Sequence, residues 1–272
     1  MGLTFSNSNG SSGRFRAYTT FLSSDPDVSA FLSATGITDS TISGAINVLV
    51  TDLKGYGIWT KMKAIYPFVG GTATTHKFNL KDPRDLDAAY RLVFSGGITH
   101  SSTGLISNGI NGFYTTKFNT SINGSQNNQS IGIYVRTNLN GGPASLDFGN
   151  EFAGGALLHI YTKVDIGLGQ QFASRLNDAT YQGQSNLDSR GFYAISRTSS
   201  VDYLKQIDTS ISTISQASTG LANAEILGFK NSTTYTPREQ AFAFIGDGLT
   251  NTELSNYYTA VQAFQTTLGR QV

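Results

Sequence analysis

Between Pro67 and Gly248 the chain breaks into short apolar–polar alternations separated by turn-forming clusters, and this pattern constrains the fold more than any other feature. Side chains on a strand point alternately to its two faces, so period-two text reads as strand. Candidate strands lie at residues 90–94, 112–118, 130–136, 145–148, 156–164, 171–175, 191–197, 202–207, 211–215, 225–229 and 241–245. In two of them the alternation is explicit: Phe192 and Ala194 oppose Tyr193 and Ile195, and Phe242 and Phe244 oppose Ala241 and Ala243. Clusters rich in Asn, Gly, Ser and Gln, at 123–128 and 138–142, stand between strands as turns. Asp82-Pro83 starts at most a single helical turn. Many short strands without long intervening helices predict an antiparallel sandwich or barrel, not a parallel α/β sheet.

Both flanks change character. Asp25 followed by Pro26 is a capping carboxylate ahead of a proline at the first helical position, and Gly36 is a stop. Asp39 caps a second helix whose Ile42, Ala45, Ile46, Leu49, Val50 and Leu53 form one continuous stripe, ended by Gly55. Trp59, Met62 and Ile65 suggest a third, shorter turn. An amphipathic stripe has to be buried, either on the β domain or on another subunit. Thr250 and Glu253 form a capping box, after which Leu254, Tyr257, Tyr258, Val261, Phe264 and Leu268 make a second stripe closed by Gly269.

Residues 1–24 read as an arm. Positions 6–13 contain only Asn, Ser and Gly, and then Arg14, Phe15, Arg16, Tyr18 and Phe21 interleave bases with aromatics. The segment reads either as a first strand of the main domain or as one that orders on a partner. The second reading makes Phe5, Arg14, Phe15, Arg16, Tyr18 and Phe21 assembly candidates. The expected division is an N-terminal arm (1–24), a helical lead-in (25–66), a β-sandwich (67–250) and a C-terminal helix packed on it (251–272).

Composition fits a turn-rich β protein with a neutral polar surface: 14% charged residues, 11% aromatics and 30 glycines. The 39% of hydrophobic residues can fill a sizeable core, which separates the chain from disordered sequences. A net charge of +1 lacks the basic face of a nucleic-acid binder, and no apolar run approaches a membrane span. No nucleic-acid partner and no membrane insertion are therefore expected. Residues 1–10 lack the basic start and apolar stretch of a secretory signal, although Met-Gly-Leu-Thr-Phe-Ser fits the myristoylation pattern. With no cysteine, disulfides, thiol catalysis and thiolate metal sites are excluded.

Catalytic constellations are sparse. The glutamates are Glu151, Glu225, Glu239 and Glu253, with no clustered acidic strand motif. Asp147 and Glu151 can share a strand face, but on a straight strand they stand roughly 13 Å apart, beyond the reach of a glycosidase pair. A bulge at Gly149 would shorten that distance. His76, His100 and His159 are scattered without partners at motif spacing and read as structural. Asp82, Asp85 and Asp87 invite a calcium loop, but the Gly and bidentate Glu of such a loop are missing. Asp82 reads better as the cap before Pro83, with Lys81, Arg84 and Arg91 neutralising the rest. P-loop, nucleophile-elbow and dinucleotide signatures are absent. The expectation is a protein without catalytic residues, cofactor or metal. Sugar binding stays chemically open, because it needs an aromatic beside neutral hydrogen-bonding groups on loops. Asn123 and Asn127 in the 123–129 cluster, and Tyr181 and Gln184 in the 181–186 cluster, are the glycan-contact candidates; both clusters also read as ordinary solvated loops.

Ala224-Glu225-Ile226-Leu227-Gly228, Ser130-Ile131-Gly132-Ile133-Tyr134-Val135-Arg136 and Phe242-Ala243-Phe244-Ile245-Gly246-Asp247-Gly248-Leu249-Thr250, followed by Glu253 and Tyr257-Tyr258, resemble strands and the closing helix of the concanavalin A-like, laminin-G-like jelly roll. The resemblance spans about residues 90–258 and implies a mainly β fold, a concanavalin A-like antiparallel β-sandwich. A second resemblance lies at 58–70 (Ile-Trp-Thr-Lys-Met-Lys-Ala-Ile-Tyr-Pro-Phe-Val-Gly), 77–85 (Lys-Phe-Asn-Leu-Lys-Asp-Pro-Arg-Asp) and 257–270 (Tyr-Tyr-Thr-Ala-Val-Gln-Ala-Phe-Gln-Thr-Thr-Leu-Gly-Arg). These stretches are similar to bacteriophage structural proteins that carry concanavalin A-like domains in phages infecting Bacteroidota. This resemblance implies a non-enzymatic component of the virion surface, a fibre, spike or decoration protein. Its implied partners are other virion proteins, further copies of the chain and a host-surface glycan. It carries over no catalytic or binding residues. The alternatives are a purely structural virion protein and a polysaccharide depolymerase.

Overall fold

The computed structural model describes residues 25–139, 146–150, 155–165, 167 and 169–272. The arm, with Phe5, Arg14, Phe15, Arg16, Tyr18 and Phe21, lies outside the described residues, as does Glu151.

Helices α1 (Pro26–Thr35) and α2 (Ser40–Gly55) begin and end where their caps predict. The Asp25 carboxylate accepts from the Asp27 backbone N–H, and the Asp39 carboxylate from that of Ile42. Both contacts satisfy first-turn donors that have no partner within a helix. The turn expected around Trp59, Met62 and Ile65 is one 3-10 turn, Trp59–Lys61, that runs into strand β1 (Met62–Tyr66). Ala64 and Tyr66 enter one core and Ile65 another, which is a strand's alternation and not a helix's. The end of the lead-in is therefore a strand of the sandwich, paired with the strand at Glu239–Gly246. Helices α3 (Ala73–His76) and α4 (Thr120–Asn123) are single turns, and α5 (Asn251–Thr267) opens on the expected capping box.

The chain then supplies β2 (Val93–Ser95), β3 (Ile98–Ser101), β4 (Gly104–Ser107), β5 (Phe113–Asn119) and β6 (Gln129–Val135). Next come β7 (Phe148–Asn150), β8 (Leu157–Asp165), β9 (Gln170–Asp178), β10 (Gln182–Ser185), β11 (Gly191–Arg197) and β12 (Tyr203–Ile207). The last are β13 (Ser210–Ile214), β14 (Glu225–Gly228), β15 (Lys230–Asn231), β16 (Thr234–Tyr235) and β17 (Glu239–Gly246). Among the described residues they build an eight-stranded sheet in the order β13-β12-β11-β6-β17-β4-β3, with β1 also on β17, and a seven-stranded sheet in the order β10-β9-β8-β7-β14-β5-β2. Strands β15 and β16 form a separate hairpin. The pairings are antiparallel, as expected.

The architecture has three layers and two main cores. From β6, β11 and β17, Ile131, Ile133, Tyr193, Ile195 and Ile245 pack between the sheets against Phe148, Leu158, Ile160, Phe172 and Ile226. The alternate residues Phe192, Ala194, Phe242 and Phe244 pack under the helices against Ile46, Leu49, Leu53, Tyr257 and Phe264. Strands covered on both faces become nearly continuous apolar runs. The α2 stripe is thus buried on the β domain of its own chain. An irregularity between Gln240 and Phe242 moves Ala241 into the helix-side core, off the face it was expected to share with Ala243.

Three expectations need correction. The strand at 90–94 starts only at Val93, because Tyr90 closes a 3-10 turn (Asp87–Ala89) in left-handed geometry. No helical turn begins at Asp82-Pro83; the Asp82 carboxylate instead grips the side chain of Arg84. The polar cluster at 181–186 is not a loop, since most of it is the edge strand β10. An edge strand pairs on one side only, and natural edges are polar, so it carries no apolar signal.

Candidate functional site

The acidic residues already have work. Asp147, fully buried, takes Arg238 Nη1 on both carboxylate oxygens at 2.9 and 2.8 Å, and also accepts the backbone N–H and hydroxyl of Thr162. Both of its oxygens are thus engaged inside the protein. Glu239 binds Arg136 and Thr103, Glu253 binds Lys61 and caps α5, and Glu225 lies 3.7 Å from Lys117. In the acidic patch Asp82 pairs with Arg84, Asp85 with Lys77 and Arg91, and Asp87 with Arg91. Two histidines far apart in sequence meet: His76 Nδ1 and His100 Nδ1 are 3.0 Å apart. Burial pulls the His76 pKa down to about 3, aided by His100 and Arg270.

The outer face of the seven-stranded sheet carries a more open arrangement. Strand register sets His159 of β8 opposite Arg175 of β9, and Gln182 of β10 opposite Ser174. Tyr181, one residue before β10, continues that register and stands beside Arg175. Tyr181, Arg175 and His159 thus form a row across three strands, pointing away from the sandwich core. The next row is Gly183, Ala173 and Tyr161. Tyr161, Ala173, Leu146 and Val164 make a small third apolar cluster, with Tyr181 packed against it.

A hydrogen-bonded relay fixes proton positions along these rows. His159 is buried, and burial pulls its pKa down to about 3, with the charge of Arg175 adding to the effect, so the ring is neutral. Its Nε2 lies 2.8 Å from the carbonyl oxygen of Asn150. A carbonyl only accepts, so Nε2 carries the proton and Nδ1 is bare. The Tyr161 hydroxyl, 3.3 Å from Nδ1, therefore donates to it. The Tyr161 oxygen then accepts from Asn231 Nδ2 and from the Tyr181 hydroxyl, each at 3.1 Å. Tyr181 thus spends its proton on Tyr161, and among the described residues nothing donates to its oxygen.

Around that oxygen stand groups with spare capacity. The Arg175 Cζ lies 3.5 Å from the centre of the Tyr181 ring, a close stack of guanidinium on aromatic. Among the described residues Arg175 has no hydrogen bond or ion pair, and its Nε is buried without a partner. The side-chain oxygen of Gln171, on the same face of β9, is likewise buried and unpartnered. Gly183 makes room for it, since a Cβ there would come within 1.8 Å of Gln171 Oε1. Tyr181, Arg175 and Gln171 are each half-buried, and Gly183 and Ser185 are exposed. The patch can accept from a hydroxyl at Tyr181 and donate from a guanidinium beside it.

Of the glycan-contact candidates, only Tyr181 lies on this patch. Gln184 sits opposite Phe172, on the strand face turned away from Tyr181. Asn123 turns its side-chain oxygen to the Asn119 N–H, closing the α4 turn, and Asn127 accepts from the Ser218 hydroxyl. The 123–129 segment is joined to the end of β9 through Asn177, whose amide donates to the Gln126 carbonyl. Arg175, Gln171, Tyr161 and His159 were missed as a group. Their one sequence signal is the period-two spacing of Gln171, Ala173 and Arg175. A cleft of about 250 Å³ lies elsewhere, lined by Asn186, Asp188, Arg190, Tyr193, Ile207, Asp208 and Val272. There Asp188 is tied to Arg190, and Asp208 accepts from the Phe192 backbone.

No protein-family model matches the chain, and no curated protein sequence matches it. Solved structures do resemble it. Domain 4 of AbnA, a GH43 extracellular arabinanase from Geobacillus stearothermophilus, solved in complex with arabinotriose, aligns with TM-score 0.51 and 12% identity over 73% of this chain and 98% of that one. The binding domain of botulinum neurotoxin serotype D aligns with TM-score 0.50 and 10% identity over 75% of this chain and 52% of that one. Trypanosoma rangeli sialidase, in complex with 2,3-difluorosialic acid, aligns with TM-score 0.50 and 8% identity, over 82% of this chain but only 39% of the sialidase. At these identities the likeness is one of fold, a mainly β architecture of antiparallel sheets packed as a β-sandwich, as expected.

Proposed function

We propose that this chain is a non-catalytic glycan-binding module on the surface of a bacteriophage particle, a sandwich that presents the outer face of its seven-stranded sheet to a host-surface polysaccharide. The observation that carries the binding reading is the relay through His159 and Tyr161. It ends in an acceptor on half-buried Tyr181, beside a guanidinium with no hydrogen-bond or ion-pair partner among the described residues. The shared fold with an arabinanase domain solved with arabinotriose supports the same ligand class. The non-catalytic reading is supported by Asp147, Glu239 and Glu253, each held by a cation. The particle reading rests on the resemblance at 58–70, 77–85 and 257–270. In that reading the arm attaches the sandwich to other virion proteins or to further copies of the chain.

Binding of the purified protein to immobilised bacterial surface polysaccharides tests the ligand. Tyr181→Phe, which keeps the ring stacked on Arg175 and removes only the hydroxyl oxygen, should weaken binding at least tenfold with little shift of the thermal midpoint. Absence of binding to every polysaccharide would leave a purely structural particle protein, and sustained release of reducing ends would identify a depolymerase. Antibody labelling of intact particles tests location. A chain lacking residues 1–24 should fold with an unchanged midpoint yet fail to enter particles; normal entry would move the attachment to the helices or the sandwich.

A further inference from the structure

Arg175 stands out among the buried and half-buried cations of the sandwich. Arg238 is neutralised by Asp147, and Arg197 by Asp178 at 3.8 Å. Lys205 places its ammonium on the carbonyls of Phe172 and Gln182, and Arg270 on those of Pro67, Phe68 and Ala241. Among the described residues Arg175 has only the face of the Tyr181 ring. The nearby carboxylate of Asp178 is already engaged, accepting from the backbone N–H groups of Leu176 and Thr180 as well as facing Arg197.

Stacking on Tyr181 holds the planar guanidinium flat while leaving its N–H donors without a carboxylate, and a desolvated cation in that state favours an anion. The adjacent Tyr181 oxygen offers an acceptor to a hydroxyl. Anion and hydroxyl within one small unit describe an acidic sugar. The chain's net charge of +1 gives no general attraction for polyanions, so any preference for acidic glycans has to arise locally. We infer that the patch selects glycans carrying acidic sugars, with Arg175 binding the anionic group and Tyr181 accepting from a neighbouring hydroxyl. This inference rests on the glycan-binding reading of the same face.

The test uses polysaccharides in matched pairs, measured by surface binding with the full chain. Polygalacturonate is paired with its fully methyl-esterified form, and a sulfated polysaccharide with its desulfated form. The free acid of at least one pair should bind at least tenfold tighter than its neutral partner, and added salt should shrink the difference. Arg175→Gln should erase the preference, whereas Arg175→Lys should retain part of it. The carboxylate and sulfate pairs separate the two kinds of anion. Equal binding of acid and neutral forms by the native chain overturns the acidic preference while leaving glycan binding intact. So does a preference that survives in Arg175→Gln. Binding to neither member of any pair, nor to neutral arabinan, overturns the glycan-binding reading itself. The acid-versus-neutral comparison needs only the native chain, so a variant that fails to fold does not decide the outcome.

Discussion

Acidification should unfold this protein through its buried histidines, and the size of the effect follows from their surroundings. His76 and His159 are each 1% exposed, and burial pulls both from the usual 6.5 to about 3. A group that resists protonation in the folded state binds more protons when unfolded. Stability is therefore fully present above pH 6.5 and is lost as pH falls toward 3. One pKa unit corresponds to about 1.4 kcal/mol, so at pH 5 each histidine has withdrawn about 2 kcal/mol and the pair about 4 kcal/mol. That is a large share of the roughly 5–15 kcal/mol that holds a typical domain together. His100, also lowered by burial, acts in the same direction. Asp178 and Asp208, raised by burial, oppose it. Comparison with a variant isolates the histidine contribution, since the acids are common to both proteins. His159→Gln keeps a donor for the Asn150 carbonyl and removes one titrating ring. Urea unfolding at pH 7 and pH 5 can be followed by Trp59, the single tryptophan, which is 7% exposed. The native chain should lose about 4 kcal/mol between the two pH values, and His159→Gln about 2 kcal/mol. Equal stability of the native chain at both pH values, or an undiminished loss in the variant, would refute the reasoning.

Three other perturbations have clear expectations. Ile46→Asp places a carboxylate in the fully buried layer between α2 and the eight-stranded sheet, at a cost of several kcal/mol, and circular dichroism should find it unfolded or aggregated at 37 °C. Asp147→Ala leaves the Arg238 guanidinium buried without its counter-ion and should cost about 3–5 kcal/mol by chemical denaturation, whereas an unchanged midpoint would mean that the pair contributes little. Calcium or a chelator should leave the thermal midpoint where it is, because Asp82, Asp85 and Asp87 each already hold a basic side chain; a rise of several degrees on adding calcium would show that the ion displaces them.

What the sequence determined by itself was local. Asp25, Asp39 and the Thr250–Glu253 box set the helix starts, because capping bonds join residues at most three apart. The period-two text of 191–197 and 241–245 set strands with two apolar faces, although it left open what each face would meet. Only the tertiary structure decided that the helices cover one of those faces and the second sheet the other. The same is true of the site. The polar β10 carries no apolar alternation, because an edge strand faces solvent along one side, so its text reads as a loop. His159, Arg175 and Tyr181 become neighbours only through the register of β8, β9 and β10, and a slip of one residue would turn Tyr181 to the opposite face. Register depends on which apolar residues of distant strands share a core, a many-body condition that no local spacing encodes.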